Sequence, residues 1–407
     1  MWDIKRGQGP VVRGLRFHVA CEAVPGQGSG SPVPLGYEER DGRLKPMSTH
    51  PAVRIITFGE VMARLSPKGF KRFAQAVPGV MEISVAGAEV NVAASLARLG
   101  RETAFVTALP RHAMADAVVA QLRALGVETR HVVRTPQGRL GLFFFEKGIN
   151  QRPAEVIYDR DGSAVSLLPA DSYDWAAIFD GAGWFHLSGI TPAISRNAAE
   201  VAQQAMREAA ARGLHISFDM NFRSKLWQWE PGTPPRELAA RTLRGLMPMV
   251  QVFIGGPDDV ALLTGTPVAA AEGGPHGPAA RHLAAGYPGL THVAMTVREA
   301  VSSSHHRLGG MLYEVGSGGE FYAPQQDGHL KPYDIPYIVD RLGGGDAFAA
   351  GLIHALTTPG QSFPQAAVDF AAAASCLAHS TEGDFNYATR EEIGFLTNGG
   401  LAGRVNR

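Results

Sequence analysis

The sequence Val339-Asp340-Arg341-Leu342-Gly343-Gly344-Gly345-Asp346-Ala347-Phe348-Ala349-Ala350-Gly351-Leu352 joins three consecutive glycines and an aspartate to an apolar run of helix length. This pattern predicts a loop that leads into the N-terminus of a helix. Glycine lets a backbone approach a ligand closely, and the first amides of a helix are unpaired donors at the positive end of its dipole. The turn therefore suits a phosphate, whereas Asp346 would repel an anion unless it handles a proton or a metal. Together these features predict phosphoryl transfer.

The sequence around this turn does not match two other known types of glycine-rich loop. No Gly-Lys-Ser/Thr follows it, which excludes a Walker-type phosphate loop. No Gly-x-Gly-x-x-Gly follows the first strand, which disfavours a dinucleotide fingerprint. An ordinary strand-to-helix turn capped by aspartate is the alternative, but capping does not need three glycines in a row.

The overall composition excludes several classes of protein. The 407 residues are 45% hydrophobic and include 38 basic and 38 acidic residues, so we expect a soluble, globular, formally neutral chain. Without a Lys/Arg run, no general nucleic-acid or membrane surface is predicted, and no apolar stretch is long enough to cross a membrane. The two cysteines, Cys21 and Cys376, argue against a disulfide framework and fit a reducing cytoplasm. No spacing of the histidines predicts a metal site.

The chain divides into three parts. Residues 1–52 are dense in Gly, Pro and Ser, and we expect a disordered or non-native extension, with Met47 as a candidate natural start. Residues 53–397 alternate strand and helix patterns, which predicts a single α/β domain, and residues 398–407 form a tail. The alternation is interrupted at about 64–86 and 140–168, where short strands would form a lid. The predicted strands of the main sheet are residues 55–60, 104–108, 131–134, 184–187, 215–219, 250–255 and 292–296, followed by a hairpin of 311–315 and 320–323, while 269–277 is expected to be a loop.

Three further motifs carry candidate ligand-binding residues. Gly87 permits close approach, and Asn91 on the first turn of the next helix can hydrogen-bond a hydroxyl-rich molecule, although ordinary helix-entry chemistry explains both. Asp219, Asn221 and Arg223 follow an apolar strand, and in an extended chain their side chains would point into one pocket; a polar strand-exit loop is the alternative.

The third motif lies in the second lid segment. Tyr158 and Arg160 place an arginine beside an aromatic ring, and such an arginine can bind a carboxylate or a phosphate in a fork. A solvated hairpin end is the simpler interpretation of this motif taken alone.

Taken together, these motifs resemble the ribokinase-like, or PfkB, family of carbohydrate kinases over residues 54–393. The family signature Asp-x-x-Gly-Ala-Gly-Asp is matched from Asp340 to Asp346, with Gly344 in place of Ala. Within the family the chain is most similar to 2-keto-3-deoxygluconate kinases, through residues 59–60, 65–67, 87–93, 187–193, 221–223, 226–227 and 383–386. The resemblance implies a three-layer α/β/α sandwich with a small β-sheet lid.

The resemblance also implies roles for single residues. Asp346 would be the catalytic base, ionised by the helix dipole, and the anion hole would comprise Gly343, Gly344 and Gly345. The implied substrate-binding residues are Gly87, Asn91, Phe143, Tyr158, Arg160 and Arg223, with Phe143 standing where a Tyr is common. The implied ATP-binding residues are Asn221, Gly256, Thr296, Asp340, Gly343 and Gly345. Gly256-Pro257 replaces an Asn that commonly organises Mg²⁺, so Asp258 or Asp259 would hold the metal through water.

The implied activity is ATP-dependent phosphorylation of the terminal hydroxyl of 2-keto-3-deoxygluconate, giving the 6-phosphate. Mg²⁺ is the implied metal, and a monovalent cation is a further candidate cofactor. We expect a homo-oligomer, because exposed lid sheets are frequently buried against a second copy. Two alternatives stay open: a PfkB kinase for fructose, ribose or a keto-deoxy inositol-derived acid, and a non-catalytic sensor of a sugar acid or nucleotide.

Overall fold

The computed structural model describes residues 53–269, 274–360 and 362–400, together with the backbone of two short strands near the N-terminus. These strands, Tyr37–Arg40 (β1) and Arg43–Pro46 (β2), pair antiparallel within a compact unit of their own. This hairpin was not predicted. The described residues do not include the other residues of the predicted 1–52 extension. They also do not include residues 401–407 of the predicted tail.

The larger unit contains two kinds of sheet. Its strands are β3 (Arg54–Phe58), β4 (Met62–Pro67), β5 (Met81–Ala86), β6 (Thr103–Pro110), β7 (Val132–Thr135), β8 (Gly141–Glu146), β9 (Glu155–Asp159), β10 (Ala182–Ser188), β11 (His215–Asp219), β12 (Val252–Ile254), β13 (His292–Ser302), β14 (His305–Glu314), β15 (Gly319–Ala323), β16 (Gln325–Gln326), β17 (His329–Leu330) and β18 (Tyr333–Ile335).

Helices connect most of these strands. They are α1 (Phe73–Ala76), α2 (Ala88–Arg98), α3 (Ala113–Ala124), α4 (Ala164–Leu167), α5 (Trp175–Phe179), α6 (Arg196–Ala211), α7 (Pro235–Arg244), α8 (Pro257–Thr264), α9 (His276–Gly286), α10 (Gly344–Leu356), α11 (Pro364–Ala378) and α12 (Arg390–Thr397), with 3-10 turns at Ala170–Ser172, Thr191–Ala193 and Met247–Met249. Among these helices, none combines the length and the apolar character that a membrane crossing requires.

The main sheet has ten strands and is covered on both faces. Its order is β15-β14-β13-β12-β11-β10-β3-β6-β7, parallel from β13 to β7, with β14, β15 and the additional strand β18 antiparallel at one end. Successive residues of β3 point to opposite faces: Ile55 belongs to the apolar layer that includes α2, α10 and α11, whereas Ile56 belongs to the layer that includes α4 to α9. The predicted three-layer α/β/α sandwich is therefore confirmed.

The second sheet has four strands, in the order β5-β4-β8-β9. Strands β4 and β8 are parallel, and the two outer pairs are antiparallel. These strands come from the two segments in which the alternation of strand and helix is interrupted, so the small sheet of the predicted fold is also present. Two of its large apolar residues, Ile83 and Ile157, are exposed.

Two regions differ from the sequence-based expectation. Residues 274–277 of the predicted loop lead into α9 and form its beginning. The helix can start there because Pro278 stands in its first turn, where a missing amide hydrogen costs nothing. It is held in place because Ala279, Ala280 and Leu283 are buried. Residues 270–273 of that loop lie outside the described residues. Strand β13 continues to Ser302 rather than ending at 296, and β14 begins at His305 rather than 311, because the hairpin extends beyond the apolar core into polar sequence.

Candidate active site

A cavity of about 420 Å³ lies at the carboxyl edge of the parallel strands. Strands β11 and β12 end at it, α10 points its N-terminus into it, and residues of the small sheet close one side. Open α/β sheets collect ligands at this edge. The cavity is therefore the place to look for the predicted site residues.

The glycine turn before α10 is shaped by close contacts. Gly343 has a left-handed φ of 79°, and a Cβ there would overlap the carbonyl oxygen of Asp384. A Cβ on Gly344 would lie 2.6 Å from Cε1 of the buried His379. The imidazole ring of His379 thus occupies the space that an alanine at position 344 would need, which explains why this chain has Gly344 where the signature has Ala.

Asp346 is buried at the first turn of α10. Its Oδ2 accepts a hydrogen bond of 2.7 Å from Nδ2 of Asn91. Burial raises the pKa of Asp346 to about 7; the Asn91 hydrogen bond opposes this shift, and the charge of Asp384 adds to it. The helix dipole was expected to keep this carboxylate ionised, whereas burial brings its pKa close to neutral pH. A base whose pKa lies near the working pH is, however, well matched to proton transfer.

Asn91 and its neighbours are held by α2. The Gly87 amide donates to Oδ1 of Asn91 at 3.3 Å, so the Asn91 side chain links the start of α2 to Asp346. On the first turn of α2, Glu89 is fully buried and accepts hydrogen bonds from the Thr191 hydroxyl at 2.6 Å and the Ser188 amide at 3.1 Å. Burial nevertheless raises the pKa of Glu89 to about 7.

Asp219, Asn221 and Arg223 all line the cavity, as their spacing predicts. The reason differs from the expected one, because Asn221 has a φ of 38° and the chain is not extended there. Burial raises the pKa of Asp219 well above its usual value, and the charges of Asp346 and Asp259 add to the effect. The floor of the cavity is therefore rich in closely spaced carboxylates.

Arg160 enters the cavity already paired. Its Nε donates to Oε2 of Glu60 at 2.6 Å, and its guanidinium lies 5.6 Å from the centre of the Tyr158 ring. Phe143 packs beside Tyr158, with ring centres 6.4 Å apart. Because Glu60 balances Arg160, Arg223 is the predicted substrate-binding cation that makes no ion pair in the part of the chain that is described.

Asp340 does not line this cavity. Its Oδ2 accepts from Nη2 of Arg64 at 2.5 Å and lies 3.6 Å from Nζ of Lys147, while its Oδ1 accepts from the Arg341 amide at 2.8 Å. Arg64 also binds Asp384, at 2.6 Å. The carboxylate of Asp340 thus braces the glycine turn, and its predicted direct contact with ATP has no support in this geometry.

The predicted metal-binding residues separate. Asp259 lines the cavity and accepts from the Gly256 amide at 2.8 Å, and burial raises its pKa, whereas Asp258 is exposed and lies outside the cavity lining. Among the described residues, no three His, Cys, Asp or Glu side chains come close enough to hold an ion together. Asp259 and Asp219 are oxygen donors suited to Mg²⁺, which is usually bound by one or two carboxylates with water and phosphate oxygens.

The remaining predicted residues are brought together. Besides those already placed, the cavity is lined by Gly87, Asn91, Gly256, Thr296, Gly343, Gly345 and Asp346, whereas Gly344 faces His379 instead. Two arginines of the lining, Arg298 and Arg341, were not predicted. Arg298 follows Thr296 by two residues on the same face of β13, and Arg341 stands inside the glycine signature, so strand alternation and the signature itself were the available signals.

Comparisons with known proteins agree with this geometry. The model of the pfkB family of carbohydrate kinases matches residues 54–389. A 2-dehydro-3-deoxygalactonokinase of Haloferax volcanii is 31% identical over 349 residues, which cover 86% of this chain and 98% of that protein. A 2-dehydro-3-deoxygluconokinase of Bacillus subtilis is 28% identical, covering 74% of this chain and 82% of its own. The crystal structure of a 2-dehydro-3-deoxygluconokinase from Thermotoga maritima superposes with a TM-score of 0.77 at 35% identity, covering 85% of this chain and 99% of that one.

Proposed function

The chain belongs to the pfkB family of carbohydrate kinases, and on that premise we propose that it transfers the γ-phosphoryl group of ATP to the terminal hydroxyl of 2-keto-3-deoxygluconate. The product would be the 6-phosphate. One observation carries the proposal: the carboxylate of Asp346, oriented by Asn91 at 2.7 Å, shares its cavity with Arg223, a cation that has no ion-pair partner among the described residues. The relatives named for keto-deoxy sugar acids support the same substrate class.

The cations of the cavity favour an acid over a neutral sugar. Arg223 forms no ion pair with a described carboxylate, and a guanidinium binds the carboxylate of a sugar acid with two parallel hydrogen bonds. Arg160, fixed by Glu60 and stacked near Tyr158, adds a donor on the lid side. Fructose or ribose would offer Arg223 no anion.

The chemistry expected of these residues is mainly alignment and charge stabilisation. The amides that follow Gly343 face the developing charge of the phosphoryl group, and Asp346 accepts the proton of the attacking hydroxyl. Bound Mg²⁺ neutralises phosphate charge, and Asp219 and Asp259 are the residues that would hold it. A requirement for a monovalent cation stays a prediction. We also place the protein in the cytoplasm, where ATP is available and thiols remain reduced.

We further propose that the outer face of the small sheet is covered by a second copy of the chain. Three apolar residues on or beside this sheet are exposed to solvent, namely Val80 at 80%, Ile83 at 57% and Ile157 at 46%. Exposed apolar sheet surface of this kind is typical of interfaces. A homo-oligomer would bury it.

Substrate class is tested by ADP release over a panel. The panel contains 2-keto-3-deoxygluconate, its galacto epimer, fructose, ribose and a keto-deoxy inositol-derived acid. We expect kcat/KM to be highest for the two sugar acids and to fall for them in Arg223→Gln, because the carboxylate loses its partner. Preference for a neutral sugar would overturn the substrate class, and turnover on none would favour a sensor.

A further inference from the structure

We propose that Arg298 and Arg341 form a binding site for the polyphosphate chain of the nucleotide. This inference rests on the proposed function, since it assigns part of the same cavity to the phosphoryl donor. Neither residue was predicted from the sequence.

The two arginines stand on different elements that meet at one wall of the cavity. Arg298 belongs to β13, two residues beyond Thr296, and Arg341 immediately precedes the Leu342–Gly343 bend that leads into α10. Both line the cavity together with Gly343 and Gly345, whose backbone faces it. The guanidinium groups therefore flank the same space as the free amides of the glycine turn.

Neither guanidinium forms an ion pair with a carboxylate among the described residues. In the described part of the chain, no ion pair or side-chain hydrogen bond joins Arg298 or Arg341 to a carboxylate. The acids adjacent in sequence are engaged by other groups: Asp340 by Arg64 at 2.5 Å and by the backbone amide of Arg341 at 2.8 Å, and Glu299 by Arg307 at 3.1 Å. Two cations are thus held near each other without a paired carboxylate among the described residues, an arrangement that solvent or a bound anion must compensate.

Two buried histidines stand behind the two arginines. His306 and His379 pack with ring centres 6.2 Å apart behind this wall and are buried. Burial lowers the pKa of both imidazoles, and the charges of Arg341 and Arg298 lower it further, to about 4 for His306. Burial also lowers the pKa of Arg341, and Arg298 contributes to that shift. The imidazoles are therefore neutral near pH 7, and the two arginines supply the positive charge of this wall, which Asp340 offsets in part.

Two anions could bind to Arg298 and Arg341, the carboxylate of the sugar acid and the polyphosphate of the nucleotide, and the chemistry favours the polyphosphate. Arg223 lies on the same side of the cavity as the carboxyl groups of Asp219, Asp259 and Asp346. As a single guanidinium, Arg223 suits a single carboxylate near the sugar pocket. Arg298 instead lies beside Thr296, and Arg341 beside the glycine turn. Two forked guanidiniums and a row of amides match an extended, multiply charged chain of phosphates better than one carboxylate.

The test measures binding without turnover. Tripolyphosphate, ADP and adenosine are titrated calorimetrically in metal-free buffer into the full-length protein and into Arg298→Gln and Arg341→Gln. We expect the Kd for tripolyphosphate and ADP to rise roughly tenfold or more in each variant, with adenosine affinity and Tm unchanged, because each variant loses a charge-assisted hydrogen bond to the phosphates. Arg341→Lys should lose less than Arg341→Gln.

Arg307→Gln is the matched control, since Arg307 lies on the same hairpin, is exposed and pairs with Glu299 rather than lining the cavity. An equal loss in this control would reduce the effect to net charge and overturn the proposal. Unchanged tripolyphosphate affinity in both cavity variants would overturn it too. Since no turnover is needed, a failure of the proposed kinase activity would be seen separately from a failure of this site.

Discussion

At the scale of single residues, the contact between Asn91 and Asp346 sets the protonation of the base. The hydrogen bond from Asn91 stabilises the ionised carboxylate and so opposes the rise in the pKa of Asp346 caused by burial. Only the deprotonated form can accept a proton, so turnover should rise with pH through about 7. This dependence makes the contribution of Asn91 measurable.

Replacing Asn91 with Ala should move the acid limb of the pH–rate profile to higher pH, because the pKa of Asp346 loses a lowering influence. The activity of the variant relative to wild type should therefore be lower at pH 6.5 than at pH 8. Asn386→Ala is the control, as Asn386 is equally buried but hydrogen-bonds Ser95 and the Ala388 amide. The account would be contradicted if the acid limb of the pH–rate profile lay at the same pH in wild type and Asn91→Ala. It would also be contradicted if Asn91→Ala and Asn386→Ala moved that limb by the same amount.

Glu89 gives a second prediction, on stability. Burial raises its folded pKa to about 7 from an unfolded value near 4.5, so the folded state binds the proton more tightly. Stability should therefore fall as pH rises from about 4.5 to 7, by up to about 1.4 kcal/mol for each pH unit of that interval. Glu89→Gln keeps an oxygen for Thr191 and cannot ionise, so urea unfolding should show a flatter pH dependence. If the unfolding free energy of Glu89→Gln depended on pH as steeply as that of wild type, Glu89 would not be the residue with the raised pKa.

At the scale of elements, Arg64 ties strand β4 of the small sheet to the catalytic turn. It is 2% exposed and bridges Asp340 at 2.5 Å and Asp384 at 2.6 Å. Arg64→Gln would leave the buried carboxylate of Asp384 without its counter-charge and that of Asp340 with Lys147 at 3.6 Å, which we expect to cost about 3–5 kcal/mol of unfolding free energy. Chemical denaturation measures this loss.

The comparison variant is Arg139→Gln, whose partner Asp159 belongs to the same sheet but whose ion pair is solvent-exposed. Its removal should cost about 1 kcal/mol or less, because water screens the pair. Comparable losses in the two variants would mean that the Arg64 bridge does not brace the turn.

The elements also show which inferences a sequence permits. The apolar runs of β3 and β11 and the glycine turn were recognisable, because local composition encodes buried strands and tight turns. The pairing of Arg160 with Glu60 was not, since these residues are far apart in sequence and only the fold joins them. The same holds for Asp340, whose carboxylate meets Arg64 across 276 positions.

At the scale of the whole molecule, the exposed face of the small sheet predicts association. Ile83→Arg places a charge where a second copy would pack, so light scattering at micromolar concentration should find a dimer or larger oligomer for wild type and a monomer for the variant. Tm should change little, because Ile83 is exposed within one chain. Phe363→Arg, which alters an exposed aromatic at the start of α11, should leave the oligomer intact. A monomeric wild type would contradict the interface.

The central claim, that this fold uses Asp346 to phosphorylate a sugar acid, is tested most directly by phosphorus-31 NMR of a reaction containing ATP, Mg²⁺ and 2-keto-3-deoxygluconate. Wild type should convert the γ-phosphate of ATP into a phosphomonoester on the terminal oxygen. Asp346→Asn should still bind ADP but form that ester roughly 10²–10⁴-fold more slowly, because the hydroxyl proton has no acceptor. Formation of the ester at wild-type rate by Asp346→Asn, or no ester with wild type, would contradict the account.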